Sequence, residues 1–268
     1  ASGEEQARLF AQAGEKYQAA LAIKPDSHEA LNNWGNLLSE QARRASGEEQ
    51  ARLFAQAGEK YQAALVIKPD SHEAPYNWGN LLSEQARCAS GEEQARLFAQ
   101  AGEKYQAALA IKPDSHEALN NWGNLLSEQA RRASGEEQAR LFAQAGEKYQ
   151  AALAIMPDSH EAFNNWGSLL SEQARRASGE ERSLLLAAAA SKLERAMQIN
   201  SAHSFNLACL RALQSDETGC RVALENAEKH GTLPSLDHLM VDGDLDSVRE
   251  TQWFKGLIER LAALKQTG

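Results

Sequence analysis

The segment ASGEEQARLFAQAGEKYQAALAIKPDSHEALNNWGNLLSEQARR, residues Ala1–Arg44, decides the fold because it is repeated along the chain. Near-identical copies start at Ala45, Ala89 and Ala133, and a fifth copy starts at Ala177 before it diverges. A fixed period of this length is typical of helical-repeat proteins, in which each unit buries its apolar face against its neighbours. The chain of 268 residues is therefore predicted to be a stacked array.

The bulk composition favours helices and excludes several functions. Hydrophobic residues make up 43% of the chain and aromatic residues only 6%, so small side chains must fill much of the core. The formal net charge is -9, and acidic and basic residues are mixed within every copy, which leaves no basic stripe for a nucleic-acid backbone. No apolar run approaches the roughly 20 residues that a membrane span needs. Neither nucleic acid nor a membrane span is expected.

The cysteines and the first residues of the sequence give information about the cellular compartment of the protein. Cys88, Cys209 and Cys220 are far apart and odd in number, which predicts free thiols in a reducing compartment. The sequence starts at Ala1 in register with the repeat and without methionine, so we interpret it as a fragment. We expect a cytoplasmic protein.

Each copy is predicted to form two helices. The letters S-G-E-E at Ser2–Glu5 predict a capping box, and Pro25 ends the helix that follows at about Lys24. Asp26 and Ser27 predict a second cap. Apolar residues recur at helical spacings after each cap: Leu9, Phe10, Ala13, Tyr17, Ala20 and Leu21, and then Leu31, Trp34, Gly35, Leu37, Leu38 and Ala42. With no strand pattern, the chain is predicted to be all-α and built of antiparallel helical hairpins.

These residues resemble the tetratricopeptide repeat (TPR). The apolar and small positions of its first helix are matched by Leu31, Trp34, Gly35 and Leu38, and those of its second helix by Ala13, Tyr17, Ala20 and Pro25. The present unit is about ten residues longer than the family's unit of about 34. Because the extra residues are good helix formers, both helices are expected to be longer by over a turn. The resemblance implies an α-solenoid, a right-handed superhelix of antiparallel hairpins.

The repeat pattern divides the chain into three parts. Residues 1–176 hold four near-identical repeats whose phase starts on a second helix, residues 177–231 hold divergent C-terminal repeats, and residues 232–268 hold C-terminal capping helices. In the last part we expect a helical run from Ser247 to about Lys265. Its apolar residues should seal the last apolar face: Val248, Phe254 and Leu257.

Two departures from the repeat have local consequences. Since the array opens on a second helix, three apolar side chains there are expected to be partly uncovered and to promote self-association: Leu9, Phe10 and Tyr17. Pro75 replaces a helical leucine, so that first helix should begin late, near His72 or after, or be locally distorted. Tyr76 stands where other copies have asparagine.

No pattern in the chain points to catalysis. One histidine occurs per copy, a whole repeat from the next, whereas a zinc site needs converging ligands: His28, His72, His116 and His160. Adjacent Asp-Ser-His residues at a helix start do not form a catalytic relay. The tryptophan row is expected to be structural and to pack inside the hairpins: Trp34, Trp78, Trp122 and Trp166. We therefore expect no enzyme activity, no cofactor and no metal.

The resemblance implies that polar residues of the first helices line a concave groove. Those residues are Glu29, Asn32, Asn33, Asn36, Glu40, Glu73, Tyr76, Asn77, Asn80, Glu117, Asn120, Asn121, Asn124, Asn164 and Asn165. An asparagine amide both donates and accepts, so a row of them can hold an extended peptide backbone. The glutamates favour neutral or basic segments. The alternative is that these residues are only solvated helix surface.

The sequence thus favours a protein–protein interaction scaffold that binds extended segments on its concave face. The alternatives are a structural spacer or self-assembling rod, and a regulatory arm of a larger protein. Near-identity of the copies fits a spacer, because a groove tuned to one ligand should diversify. Tyr76 and Ser168, which differ between copies, favour binding.

Overall fold

The chain is built of helices that pair into hairpins. The computed structural model describes residues 3–267, with side chains from residue 5 to 263, and every regular element in that range is helical. The α-helices are α1 (Gly3–Ile23), α2 (His28–Ala42), α3 (Gly47–Ile67), α4 (Glu73–Cys88), α5 (Gly91–Ile111), α6 (His116–Arg132), α7 (Gly135–Ile155), α8 (His160–Arg176), α9 (Gly179–Ile199), α10 (Phe205–Leu213), α11 (Glu217–Lys229), α12 (Leu236–Val241), α13 (Asp246–Arg249) and α14 (Gln252–Thr267), with a 3-10 helix at Gly243–Leu245. The predicted all-α hairpin architecture is confirmed. The helices form two compact units, Ala1–Gln129 and Ala130–Gly268.

The core of the first unit follows the helical spacing of its apolar residues. On α3 these residues form one buried face, which packs between Leu38 of α2 and Leu81 of α4: Leu53, Phe54, Ala57 and Tyr61. The same arrangement recurs one repeat later on α5, which packs with Leu82 of α4 and Leu125 of α6. The second helices α3 and α5 are therefore each covered by the first helix before it and the first helix after it.

The second helices do not start with the predicted capping box. None of the serines that precede α3, α5, α7 and α9 makes a side-chain capping bond: Ser46, Ser90, Ser134 and Ser178. Ser2 itself lies outside the described residues. The next residue is a glycine at positive φ, 60° at Gly47, which turns the chain before the serine can fold back. The prediction is therefore wrong for the described copies.

A glutamine near the start of the second helix makes the side-chain hydrogen bonds at this junction. Gln94 Nε2 donates to the carbonyl oxygens of Ala86 and Ala89, both at 2.8 Å. Gln50 Nε2 donates in the same way to Ala42 O at 2.9 Å. Ala42 and Ala86 lie in the last turns of α2 and α4, and Ala89 directly follows α4, where the regular bonds of the helix interior end. The glutamine thus ties the end of one helix to the start of the next.

We expect Gln94→Ala to lower the free energy of unfolding by about 1 kcal/mol, because one side chain satisfies two helix-end carbonyls. Gln106→Ala on the same helix is the matched control, since Gln106 is exposed. It should change stability by less than about 0.5 kcal/mol. Urea unfolding followed by far-UV circular dichroism measures both. Equal effects would show that the Gln94 bonds do not stabilise the junction.

In the four near-identical repeats the first helices start at serine caps, with one exception. Ser27 Oγ accepts from Ala30 N at 3.3 Å at the start of α2, and Ser159 caps α8 in the same way. In the repeat that contains Pro75, α4 begins at Glu73, one residue later than its counterparts, and makes no such bond. The predicted late start is confirmed, because the proline ring is tolerated only in the first turn.

The second unit closes around one apolar cluster. It joins α8–α11 to the C-terminal helices and includes the three residues expected to seal the array: Val248, Phe254 and Leu257. Gly231, at φ 66°, follows α11. The predicted continuous run from Ser247 is wrong, since α13 ends at Arg249 and α14 begins at Gln252. Thr251 Oγ1, which donates to Val248 O at 2.6 Å, occupies the break.

No helix in the described part of the chain combines the length and the apolar character required to cross a membrane.

Candidate functional site

Polar side chains of successive first helices meet in the first unit. Asn77 Nδ2 on α4 donates to Asn32 Oδ1 on α2 at 3.1 Å. One repeat later, Asn121 Nδ2 on α6 donates to Asn80 Oδ1 and to Tyr76 Oη, both at 3.0 Å. The first helices therefore lie side by side with their amides in register. We call this surface the asparagine face, defined by Asn32, Asn33, Asn36, Tyr76, Asn77, Asn80, Asn120, Asn121 and Asn124.

Two asparagines of this face also accept hydrogen bonds from tyrosines of the core. The hydroxyl of Tyr61 donates to Asn36 Oδ1 and that of Tyr105 donates to Asn80 Oδ1, both at 2.7 Å. Both tyrosines are 1% exposed, and burial raises the pKa of each phenol, so both hydroxyls stay protonated donors. Sequence reasoning gave these asparagines a binding role only. In the structure, Asn36 Oδ1 accepts a hydrogen bond from Tyr61, and Asn80 Oδ1 accepts hydrogen bonds from both Tyr105 and Asn121.

Asn33 differs from its counterparts in the next two repeats because it is exposed. Its counterparts Asn77 and Asn121 are half-buried and bonded to the preceding first helix. Asn120 Nδ2 lies 3.4 Å from Asn121 Oδ1, so these two amides are also linked. The face therefore combines fixed amides with amide edges that remain open to solvent.

The second unit has a shorter version of the same arrangement. Asn206 Nδ2 on α10 donates to Asn164 Oδ1 on α8 at 3.0 Å. Ser168, which replaces an asparagine of the other copies, donates from Oγ to Asn164 O at 2.9 Å. Asn165 is half-buried on the same helix. Asn206 escaped the sequence prediction because the turn before α10 breaks the repeat register.

One edge of the asparagine face carries exposed carboxylates. These are the first-turn glutamates Glu29, Glu73 and Glu117. Each accepts a bond from the serine two residues earlier, as Glu73 Oε2 does from Ser71 Oγ at 2.8 Å. The pKa of Glu29 is lowered, chiefly by a hydrogen bond to its own backbone amide. These carboxylates are therefore ionised at neutral pH, and the helix N-terminus favours that state.

The glutamate at the other end of the first helix is already paired. Glu40 accepts from Arg44 Nη2 at 2.8 Å and from Arg43 Nη1 at 3.0 Å. The bond from Arg44 is the main cause of the lowered pKa of Glu40. Arg43 also donates from Nε to Glu84 Oε2 of α4 at 2.6 Å. Glu29 and Glu40 were predicted to have the same role, whereas in the structure Glu40 is paired with two arginines and Glu29 lies beside Ser27 and His28.

Two tryptophans are partly buried, each with a lysine ammonium over its ring. Trp34 and Trp78 are partly buried against the core. Lys60 Nζ lies 4.2 Å from the ring centroid of Trp34, and Lys104 Nζ lies 3.7 Å from that of Trp78. Such contacts contribute about 0.5–1 kcal/mol at exposed sites. The lysines were missed, although they recur once per copy, because facing residues on two helices depend on the packing register.

The histidines and cysteines do not form a catalytic group among the described residues. Each first-turn histidine lies beside the glutamate that follows it, as His28 Nε2 does at 2.9 Å from Glu29 Oε1. In the described part of the chain, one group has metal-ligand chemistry at close range: Cys209, Asp242 and Asp244. There Arg175 Nε donates to Asp244 Oδ1 at 2.7 Å, so an arginine already compensates that acidic group.

The hairpins and their recurring residues define the class of protein, a helical-repeat scaffold of the TPR type. The family model described as "Plant specific mitochondrial import receptor subunit TOM20" matches residues 4–118 and, in an overlapping second match, residues 68–164. Together the matches span residues 4–164, which is more than half of the chain. The chain belongs to this family.

Solved structures confirm the fold. The chain is similar to Pseudomonas aeruginosa pilF, with 20% identity and a TM-score of 0.56 over 87% of this chain and 93% of that one. It is similar to PilW, a type IV pilus biogenesis factor, with 18% identity and a TM-score of 0.58 over 85% and 92%. The human IFIT1 dimer with m7Gppp-AAAA gives 15% identity and a TM-score of 0.64 over 96% and 55%. A comparison with curated protein sequences finds no significant match.

Proposed function

We propose that the chain is a protein-interaction scaffold whose asparagine face binds an extended, neutral or basic segment of another protein. The observation that carries the proposal is the row of side-chain amides fixed in register across α2, α4 and α6. Each amide has two donors and two acceptor lone pairs. Bonds such as Asn77 to Asn32 use only part of that capacity, and the remainder can pair with peptide N–H and C=O groups.

The charge of the face favours a basic ligand. Glu29, Glu73 and Glu117 form an exposed anionic edge, and the whole chain has a formal net charge of -9. The family's description names a mitochondrial import receptor. Mitochondrial transit peptides are amphipathic, rich in arginine and poor in acidic residues. Such a segment is our proposed ligand class, and a receptor for it would meet its ligand on the cytoplasmic side.

The test uses two labelled peptides of about 20 residues: an Arg-rich amphipathic peptide, and the same peptide with glutamate in place of each arginine. We expect only the Arg-rich peptide to raise the fluorescence anisotropy of the label when the full chain is added. A variant with Asn33, Asn77 and Asn121 all changed to alanine should bind it at least about tenfold more weakly, since several peptide bonds lose partners.

The matched control changes three glutamines of the second helices to alanine: Gln18, Gln62 and Gln106. They also carry carboxamides, recur once per copy and are exposed. The control should bind like the original chain, and thermal unfolding should show that both triple variants are folded. If the two variants bind equally well, the asparagine face is not the site. Preference for the glutamate-rich peptide would contradict the proposed charge.

The rival function is a structural spacer. Its support is the near-identity of the copies, in which Ala1–Arg44 recurs with few changes. A spacer would bind neither peptide, and both triple variants would behave like the original chain. The peptide titration therefore separates the two functions.

A further inference from the structure

Tyr76 is the aromatic member of the asparagine face. Its hydroxyl accepts a hydrogen bond from Asn121 Nδ2 of α6 at 3.0 Å, and its ring centroid lies 6.4 Å from that of Tyr105, tilted by 52°. The residue is half-buried, so these contacts fix the side chain while part of it stays open to solvent. The other near-identical copies have an asparagine at this position: Asn32, Asn120 and Asn164.

Two exposed carboxylates flank this tyrosine. Glu73 precedes Tyr76 by three residues on α4, so the two side chains lie on the same face of that helix. Glu117 precedes Asn121 by four residues on α6, and Asn121 is the residue that contacts Tyr76. The side chains of Glu73 and Glu117 are 57% and 53% exposed. One carboxylate therefore stands a turn before the tyrosine, and the other stands a turn before its hydrogen-bond partner.

The lysines and arginines of the described residues do not occupy this site. The groups beside Glu73 and Glu117 are the serine and histidine that precede each of them, and no lysine or arginine of the described part lies within ion-pair distance of either carboxylate. The Trp78 ring has Lys104 Nζ at 3.7 Å from its centroid, whereas within the described part no such cation lies over the Tyr76 ring. An aromatic ring and two carboxylates thus remain available to a cation from outside the chain.

We propose that Tyr76, Glu73 and Glu117 form a site that selects an arginine side chain of the bound segment. The inference rests on the proposed function of the asparagine face and identifies where on that face the positive charge is recognised. The planar guanidinium would stack on the open part of the Tyr76 ring and donate to a flanking carboxylate. The second carboxylate adds electrostatic attraction.

The neighbouring junction provides an internal comparison. Between α2 and α4 the flanking carboxylates are also present, at Glu29 and Glu73, but the residue between them is Asn32. Asn32 Oδ1 accepts from Asn77 Nδ2 at 3.1 Å, just as Tyr76 Oη accepts from Asn121 Nδ2. The two junctions therefore differ mainly in the aromatic ring. A ligand with a single arginine should place it at the α4–α6 junction, which would set the register of the segment along the face.

The test uses two derivatives of the Arg-rich peptide. One keeps a single central arginine and has citrulline in place of the others, and the second has citrulline at every position. Citrulline has the shape of arginine but carries an uncharged urea group. In anisotropy titrations, the original full chain should bind the single-arginine peptide at least about fivefold more tightly. Tyr76→Asn, which installs the residue of the other copies, should reduce this ratio by about two- to fivefold.

Two further variants separate the ring from its hydroxyl and from its surroundings. Tyr76→Phe keeps the ring and removes the bond from Asn121, so it should preserve the arginine preference. Tyr76→Asn combined with Asn32→Tyr moves the tyrosine to the α2–α4 junction, where Glu29 and Glu73 flank it, and should restore the preference. Thermal unfolding followed by circular dichroism verifies that each variant is folded.

The outcomes distinguish this inference from the proposed function. If Tyr76→Asn leaves the ratio unchanged while the peptides still bind, the arginine site is wrong and the asparagine face stands. If Tyr76→Asn weakens both peptides by the same factor, the tyrosine has a structural role only, and the inference is again overturned. If the original chain binds neither these peptides nor the Arg-rich peptide, both proposals fail.

Discussion

Replacing Gly35 with alanine is expected to lower the free energy of unfolding by about 2 kcal/mol, although alanine is the better helix former by about 1 kcal/mol. The added Cβ atom would lie 2.6 Å from Tyr61 Cε1 and 2.9 Å from Cδ1 and Cζ. Tyr61 is 1% exposed, and its hydroxyl is bound to Asn36. The ring therefore has no free space into which it can move, and the helices must separate.

The matched control for this prediction is Gly14→Ala. Gly14 is also inside a helix, but no atom lies within 4 Å of a Cβ built there. This variant should gain up to about 1 kcal/mol from helix propensity alone. Urea unfolding of the two variants should thus give changes of opposite sign. If both substitutions stabilised the protein, the Tyr61 ring would be able to move aside, and the close packing of α2 on α3 would not be required.

The parts of the fold that follow from local patterns could be predicted. Helical spacing places Leu31, Trp34 and Leu38 on one face, and Pro25 and Pro75 act within one turn of their own positions. In a repeat array each unit packs on its sequence neighbours, so a local pattern largely determines the tertiary contacts as well. This is why the hairpins and the late start of α4 agree with the sequence.

The parts that depend on the packing register could not be predicted. The bond from Tyr61 to Asn36 joins residues 25 apart on two helices, and its existence depends on how far one helix slides along the other. The glutamine ties replaced the expected serine caps because Gly47 adopts a positive φ, a choice that the capping pattern does not reveal. The same limit applies to the site, because the repeat pattern predicts its residue types but does not reveal which amides are already hydrogen-bonded to each other.

Tyr105→Ala is expected to cost about 3–5 kcal/mol of unfolding free energy, the usual range for removing a fully buried aromatic side chain. Tyr105 is 1% exposed and packs in the cluster shared by α4, α5 and α6. Tyr105→Phe keeps the ring and removes only the hydroxyl bound to Asn80, so it should cost about 1 kcal/mol. Urea unfolding of the two variants separates packing from hydrogen bonding.

Tyr17→Ala provides the matched control, because Tyr17 occupies the same position in an identical helix but is only half-buried. It should cost less than about half as much as Tyr105→Ala, since the water-facing part of the ring contributes no burial energy. Equal costs would mean that Tyr17 is covered in solution. The comparison therefore tests two features at once: the burial of Tyr105 between its neighbouring helices, and the partial exposure of Tyr17 on α1.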